Sequence, residues 1–175
     1  MVTVVPYSSD WPIRFAEQAQ RLRAALGTQI IAIEHIGSTA IPGLPAKPVI
    51  DIAACTASNI DPFSLGPAIE SLGYQEHRTG PKNHAIFVRG TDSGRTEILH
   101  VFSMGEWELC NQRVFRDKLM HDATARERYA ALKIYLGATL VAGKAYTLAK
   151  RGLIQDLLNE EREARGLQPT VAWDK

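Results

Sequence analysis

The chain has 175 residues, with 20 Lys and Arg against 19 Asp and Glu, for a net charge of +1. That length supports one domain, or one domain with a helical appendage, and a core that needs no disulfide staples. The even charge argues against a general nucleic-acid binder, which carries a basic excess. Cys55 and Cys110 lack metal-like or framework spacing, no basic-then-apolar leader opens the chain, and no apolar run approaches membrane-spanning length. The expected setting is therefore cytoplasmic, with no membrane partner.

Residues 2–6 read as an extended lead-in broken by Pro6. Asp10 is placed to cap a helix from Trp11, in which Phe15, Ala19, Leu22 and Leu26 recur at helical spacing before Gly27 closes it. The β-branched run 30–36 predicts a strand, and 47–54 a second one. Alternation puts Ile50, Ile52 and Ala54 on one face of that second strand and Val49, Asp51 and Ala53 on the other, so Asp51 points away from the apolar side. A short helix follows over 62–72, then strands over 74–77, 84–89 and 95–102, with a tight turn at 90–94. After Gly105 only helical patterns remain: 106–120, 124–140 and 144–165. The reading is an α+β core over 1–104, a helical segment over 105–165 packed on it, and a frayed tail over 166–175.

The stretch from Glu34 to Ile52 concentrates the chemistry. It runs from a strand through the Gly37-Ser38 turn and a proline-bearing loop into the strand carrying Asp51. Glycine lets a phosphate approach the backbone, and a serine hydroxyl with exposed amides can hold its oxygens. Taken alone, a Gly-Ser pair is equally an ordinary turn between strands. Ser38 lacks the flanking glycines of a nucleophile elbow, and the glycines fit neither the dinucleotide fingerprint nor the P-loop.

The arrangement resembles the nucleotidyltransferase-fold superfamily and, more specifically, the GrpB-like family of predicted nucleotidyltransferases. The residues that carry the resemblance are Trp11, Glu34-His35-Ile36-Gly37-Ser38-Thr39, Pro42-Gly43-Leu44, Ala46-Lys47-Pro48 and Ile50-Asp51-Ile52. Leu99-His100-Val101, Trp107, Phe115-Arg116-Asp117, Tyr129-Ala130, Leu132-Lys133, Tyr146 and Ala149-Lys150 continue it, over roughly residues 2–160.

The resemblance implies a mixed β-sheet with flanking helices, followed by a C-terminal helical bundle segment. It also implies an NTP substrate, a divalent metal (Mg or Mn) and a small-molecule acceptor. Gly37, Ser38, Thr39 and Lys47 would hold phosphate, with Arg116, Lys133 and Lys150 from the helices. Asp51, His100 and His35 would carry the chemistry, Asp51 and His100 also ligating the metal; a transition metal would suit an imidazole ligand.

Each residue also has a plainer reading. Arg116 can pair with Asp117, and lysines on helices are commonly solvated. Glu34 can form a strand-end ion pair with a lysine such as Lys47, while His100 can fill a hydrogen-bonded place in the sheet. Tyr129 with Lys133, and Tyr146 with Lys150, each share a helical face at a spacing of four.

One departure from the superfamily pattern stands out. Two-metal nucleotidyl transfer clusters carboxylates, and strand alternation would place the partner acid two residues after Asp51, where this chain has Ala53. His100 is the favoured stand-in. Glu97 lies on the opposite face of a regular strand. The alternative function is a catalytically reduced module that binds a nucleotide or other anion.

Overall fold

The structure is a computed structural model that describes residues 3–92, 94–139 and 143–172. Helix α1 (Asp10–Leu26) is followed by β1 (Ile30–Ile36), a single 3-10 turn at Ser38–Ala40, and β2 (Ile50–Thr56). A further 3-10 turn (Pro62–Leu65) leads into α2 (Gly66–Glu70), then β3 (Gln75–Glu76), β4 (Ala85–Thr91) and β5 (Gly94–Phe102). The rest is helical: α3 (Met104–Trp107), α4 (Asn111–His121), α5 (Ala123–Thr139), α6 (Gly143–Ala149) and α7 (Arg151–Ala164). Among the described residues, no helix is long and apolar enough to cross a membrane.

The five strands form one mixed sheet in the order β1-β2-β5-β4-β3. β2 pairs antiparallel with β1 and parallel with β5, and β4 runs antiparallel to β5. β2 is buried along its whole length, as a central strand covered on both faces must be. On one face Ile50, Ile52, Ala54, Leu99, Val101 and Phe87 pack under α1 and α2, against Leu22, Leu26 and Ile69. On the other, Ile36, Ala53 and Cys55 meet Phe102, Trp107 and Cys110. A separate apolar cluster joins α4, α5 and α7 through Phe115, Leu119, Tyr129, Leu157 and Leu158, and Ile41 and Leu44 plug it into the loop between β1 and β2.

Several local expectations are corrected. Asp10 is not a side-chain cap: its own amide donates to Ser8 Oγ, and the Trp11 amide to Ser8 O. The second strand starts at Ile50, because residues 47–49 turn, with the Val49 amide donating to Lys47 O. The helix read over 106–120 breaks at Cys110, whose ψ of 110° is extended, and the one read over 144–165 is interrupted at Lys150 between α6 and α7. Apolar periodicity continues through both breaks, so it does not reveal them. The tail is not frayed up to residue 172. Gln155 holds it from both ends, donating to Thr170 O at 2.6 Å and accepting from the Ala172 amide at 2.6 Å, and Ala172 is buried on Leu157 and Leu158. Position 93 of the turn, position 140 at a helix end, and residues 1–2 and 173–175 lie outside the described residues.

Candidate functional site

Strand register decides which side chains share a face. Asp51 lies opposite Ile36 on β1 and Ile98 on β5, and Ala53 opposite Glu34 and His100. Asp51, Ala53, Glu34 and His100 therefore project to the same side of the sheet, under the C-terminal helices. His35 is opposite Ile52 and Glu97 opposite Ile50, so both belong to the α1 side.

Asp51 is buried against the Gly37 turn. Gly37 has φ +70°, and a Cβ there would overlap Asp51 Oδ2, an approach no side chain tolerates. Glycine is required by both the backbone angle and the carboxylate pressed on it. The next residues tie the turn down. Thr39 Oγ1 donates to Val49 O at 3.1 Å, which leaves His35 Nε2 as the donor in its 3.0 Å bond to Thr39 Oγ1. The His35 ring stacks on Phe15 at 4.7 Å. Burial lowers its pKa to about 4, against the raising influence of Asp51 and with help from Arg116. His35 and the Thr39 hydroxyl are thus engaged in fixing the turn, and His35 does so from the face opposite Asp51.

Two basic groups surround this turn, and they differ in kind. Arg113 and Arg116 grip Glu34: Arg113 Nε and Nη2 donate at 3.1 and 2.9 Å, and Arg116 Nη1 at 2.7 Å. Arg116 also donates to His35 O and, through Nε, to Asp117 Oδ1 at 2.8 Å. Burial works to raise the Glu34 carboxyl pKa, but the two guanidiniums outweigh it and hold the group below its usual range. The plainer reading of Arg116 is the one the geometry displays, and Glu34 pairs with arginines rather than with Lys47. Arg113 was not singled out in the sequence, although its spacing of three from Arg116 puts the two on neighbouring helical positions.

The lysines gather elsewhere. Lys47 Nζ lies 4.6 Å and Lys150 Nζ 4.4 Å from the centre of the Tyr146 ring, and Lys133 Nζ lies 5.2 Å from that of Tyr129. Ammonium groups over phenol rings are held by the ring quadrupole. Lys133 is only 2% exposed. The Tyr129 hydroxyl is hydrogen-bonded by the Ser38 side chain; burial pushes its pKa up, with the charge of Asp51 adding to the rise, so Asp51, Ser38 and Tyr129 are neighbours. Burial also raises the Tyr146 pKa to about 12, and its buried hydroxyl has no hydrogen-bond partner among the described residues. A cavity opens here, lined by Gly37, Ser38, Tyr129, Lys150 and Arg151. Residues 47, 133 and 150, far apart in sequence, thus meet around two tyrosines beside the Gly37-Ser38 turn.

The donor set does not fit a two-metal centre. Among the described residues, no group of three or more His, Cys, Asp or Glu is placed to hold a metal. Ala53 occupies the second acid's position; Glu34, its neighbour on β1, is saturated by arginines. Glu97 is on the far face, with Arg14 and Arg89 at 3.7 and 3.8 Å. His100 shares the Asp51 face one pleat further along, with Nδ1 turned to His84 at 3.0 Å.

The family profile described as GrpB protein matches residues 1–160, and the chain belongs to that family. It is 35% identical over 161 residues to a UPF0157 protein of Halalkalibacterium halodurans, covering 90% of this chain and 80% of the relative. Some relatives are longer: the chain spans 66% of a Pseudomonas aeruginosa UPF0157 protein that is also 35% identical. The crystal structure of conserved protein GrpB from Enterococcus faecalis superposes with a TM-score of 0.83 at 26% identity, covering 94% of this chain and 99% of that one. More distant likenesses are to Cid1 poly(U) polymerase bound to Mg and 3′-dATP and to the GLD-2/RNP-8 complex. Their TM-scores are 0.54 and 0.56 at 9% and 12% identity, over 75% and 98% of this chain and 43% and 74% of those. The fold is nucleotidyltransferase-like.

Proposed function

We propose that this GrpB-family chain binds a nucleoside triphosphate between the Asp51 face of the sheet and the C-terminal helices, and transfers its nucleotidyl group to a small-molecule acceptor. The observation that carries this reading is the convergence of Lys47, Lys133 and Lys150 on Tyr146 and Tyr129 beside the Gly37-Ser38 turn. A triphosphate needs several cations at close range, and lysine supplies them as movable point charges. Phosphoryl-type transfer asks a protein mainly for positioning and charge stabilisation. Gly37 and Ser38 would bring backbone and hydroxyl donors to the phosphate, and the buried Tyr146 hydroxyl would gain a partner. Cid1, a distant fold relative, is bound to Mg and 3′-dATP, which supports the nucleotide reading.

A second reading, a nucleotide- or anion-binding module without transfer chemistry, is favoured by one observation: Ala53 in place of the second acid, with no clustered metal ligands among the described residues.

Thermal shift with ATP, GTP, CTP and UTP, with Mg, with Mn and with chelator, tests binding. Pyrophosphate release across a panel of small acceptors separates the two readings. Nucleotide-dependent stabilisation that disappears in Lys150→Ala is expected. No response to any nucleotide would overturn the transferase and the nucleotide-binding form of the module, and binding that yields no pyrophosphate with any acceptor would leave the module.

A further inference from the structure

On the Asp51 face, at the β4 side of the sheet, lies a second cavity of about 720 Å³, within the range of small-molecule sites. Its lining shares no residue with the cavity at the Gly37 turn. Strand register builds its floor. Ile98 of β5 is the partner of Asp51 on one side and of Val88 on the other, and Ile86 is the partner of His100. Ile86, Val88 and Ile98 therefore all project to this face. Towards β1 and β2 the same face is closed, where Ile36, Ala53 and Cys55 pack on Phe102, Trp107 and Cys110. Ile86, Val88 and Ile98 are only half-buried and form an apolar stripe under the cavity. Leu109 and Val171, large apolar side chains 47% and 80% exposed, line it as well.

The charges in the lining do not balance. It carries two arginines, Arg95 and Arg162, and one acid, Glu106, whose Oε2 accepts from Asn83 Nδ2 at 3.1 Å. Burial lowers the His84 pKa to about 4, so that ring brings no charge. Arg162, on the α7 wall, is 7% exposed and has no carboxylate partner among the described residues. Its Nε donates to Gln168 O at 2.6 Å, and its Nη1 to Leu109 O at 3.3 Å and Asn111 Oδ1 at 3.0 Å. These three neutral oxygens fix the guanidinium and leave Nη2, with its two protons, without a partner among the described residues.

The neighbouring arginines are treated differently. Arg113 and Arg116 close on Glu34, and Arg165 closes on Glu161 and Asp117. A largely buried guanidinium held only by neutral acceptors keeps an uncompensated charge. An anion brought against it from the cavity forms a charge-assisted hydrogen bond away from bulk water.

We propose that this cavity binds a small monocarboxylate with an apolar body, an aryl- or alkylcarboxylic acid. Its carboxylate meets Arg162 Nη2, and its body covers Ile86, Val88 and Ile98. A phosphate or a dicarboxylate fits less well, because one guanidinium nitrogen is on offer and Glu106 repels a second negative charge. An uncharged apolar ligand leaves the Arg162 charge uncompensated. The site depends on neither the Gly37 turn nor a nucleotide, and its test is run without nucleotide.

The full chain, with ¹³C-labelled isoleucine δ1 methyls, is titrated with phenylacetate, 3-phenylpropionate, hexanoate and octanoate, and with the carboxamide of each. At least one acid is expected to shift the Ile86 and Ile98 methyls saturably, with a Kd below about 1 mM. The methyls of Ile41 and Ile154, at the Gly37 cavity, should stay in place. The matching carboxamide should bind at least about tenfold more weakly. Arg162→Gln is expected to erase that preference. Because Arg162 also ties down the tail, the comparison of acid with carboxamide on the unaltered chain reads its charge without touching the fold. Val88→Trp fills the cavity from the half-buried floor and should abolish the shifts at an unchanged Tm. No saturable shift from any of the acids at about 10 mM, equal binding of acid and carboxamide, or binding unaffected by Val88→Trp would each overturn the site.

Discussion

The arginines of α4 and the lysines around Tyr146 both surround the Gly37 turn, yet they are built for different work. Arg113 and Arg116 close on the Glu34 carboxylate, Arg116 also holds Asp117, and Arg165 links Asp117 to Glu161. Their charge is consumed in fastening α4 and α7 to each other and α4 to the sheet. Lys47, Lys133 and Lys150 are arranged over tyrosine rings, and Lys150 lines the cavity at the turn together with Arg116. An arginine's planar fork suits a permanent bidentate carboxylate, and lysine's flexible stem suits a charge that must follow a ligand. The comparison separates arginines paired with carboxylates from lysines grouped over tyrosine rings.

The turn that both groups surround offers the largest perturbation. Gly37→Ala drives a methyl into Asp51 and forces a non-glycine residue to φ +70°, so unfolding by denaturant should show a loss of about 2–4 kcal/mol, with nucleotide binding gone. Glu34→Gln strands two partly buried guanidiniums. A loss of about 1–3 kcal/mol at pH 7 is expected in the same assay, while the ATP Kd of the folded protein stays within about twofold. Because the Glu34 pKa is lowered on folding, its contribution is fully present above the ordinary carboxylate value. It is lost as pH falls through the folded value, so wild type and Glu34→Gln should converge in acid. Equal destabilisation of the two at every pH would break the assignment.

On the lysine side the pattern should invert. Lys47→Ala and Lys150→Ala are each expected to weaken ATP binding about tenfold or more by calorimetry, with unfolding free energy within about 1 kcal/mol of wild type. If either variant loses stability and keeps its affinity, the contrast between the two basic groups collapses. A different kind of effect, one that depends on pH, belongs to His35. Its pKa falls on folding from 6.5 to about 4, so protonation opposes the native state and stability declines as pH drops between those values. His35→Phe should flatten that decline in a pH series of denaturation midpoints, and an unchanged slope would show that His35 does not cause it.

Much of this was legible beforehand because it is local. Alternation along 50–54 put Asp51 and Ala53 on one face and the apolar residues on the other, and the structure agrees. The spacing of four that pairs Tyr129 with Lys133 and Tyr146 with Lys150 survives as cation–π contacts. Other features were out of reach. His84 carries no signal on its own, since only the antiparallel β4–β5 pairing brings it to His100. Arg162 reads as one more helical arginine until α7 is laid against α4.

By itself, then, the sequence determined the family, the α+β core with its helical continuation, the Gly37-Ser38 turn and the half-complete acid pair of Asp51 and Ala53. These follow from side-chain periods of 2 and 3.6 and from glycine's freedom at one backbone position. Only the tertiary structure decided that Glu34 is closed off by Arg113 and Arg116, that three distant lysines share two tyrosines, and that His100 is buried against His84 beside Ala53. The reason is that inter-strand register and helix packing are set by contacts between residues tens of positions apart, which no local period encodes.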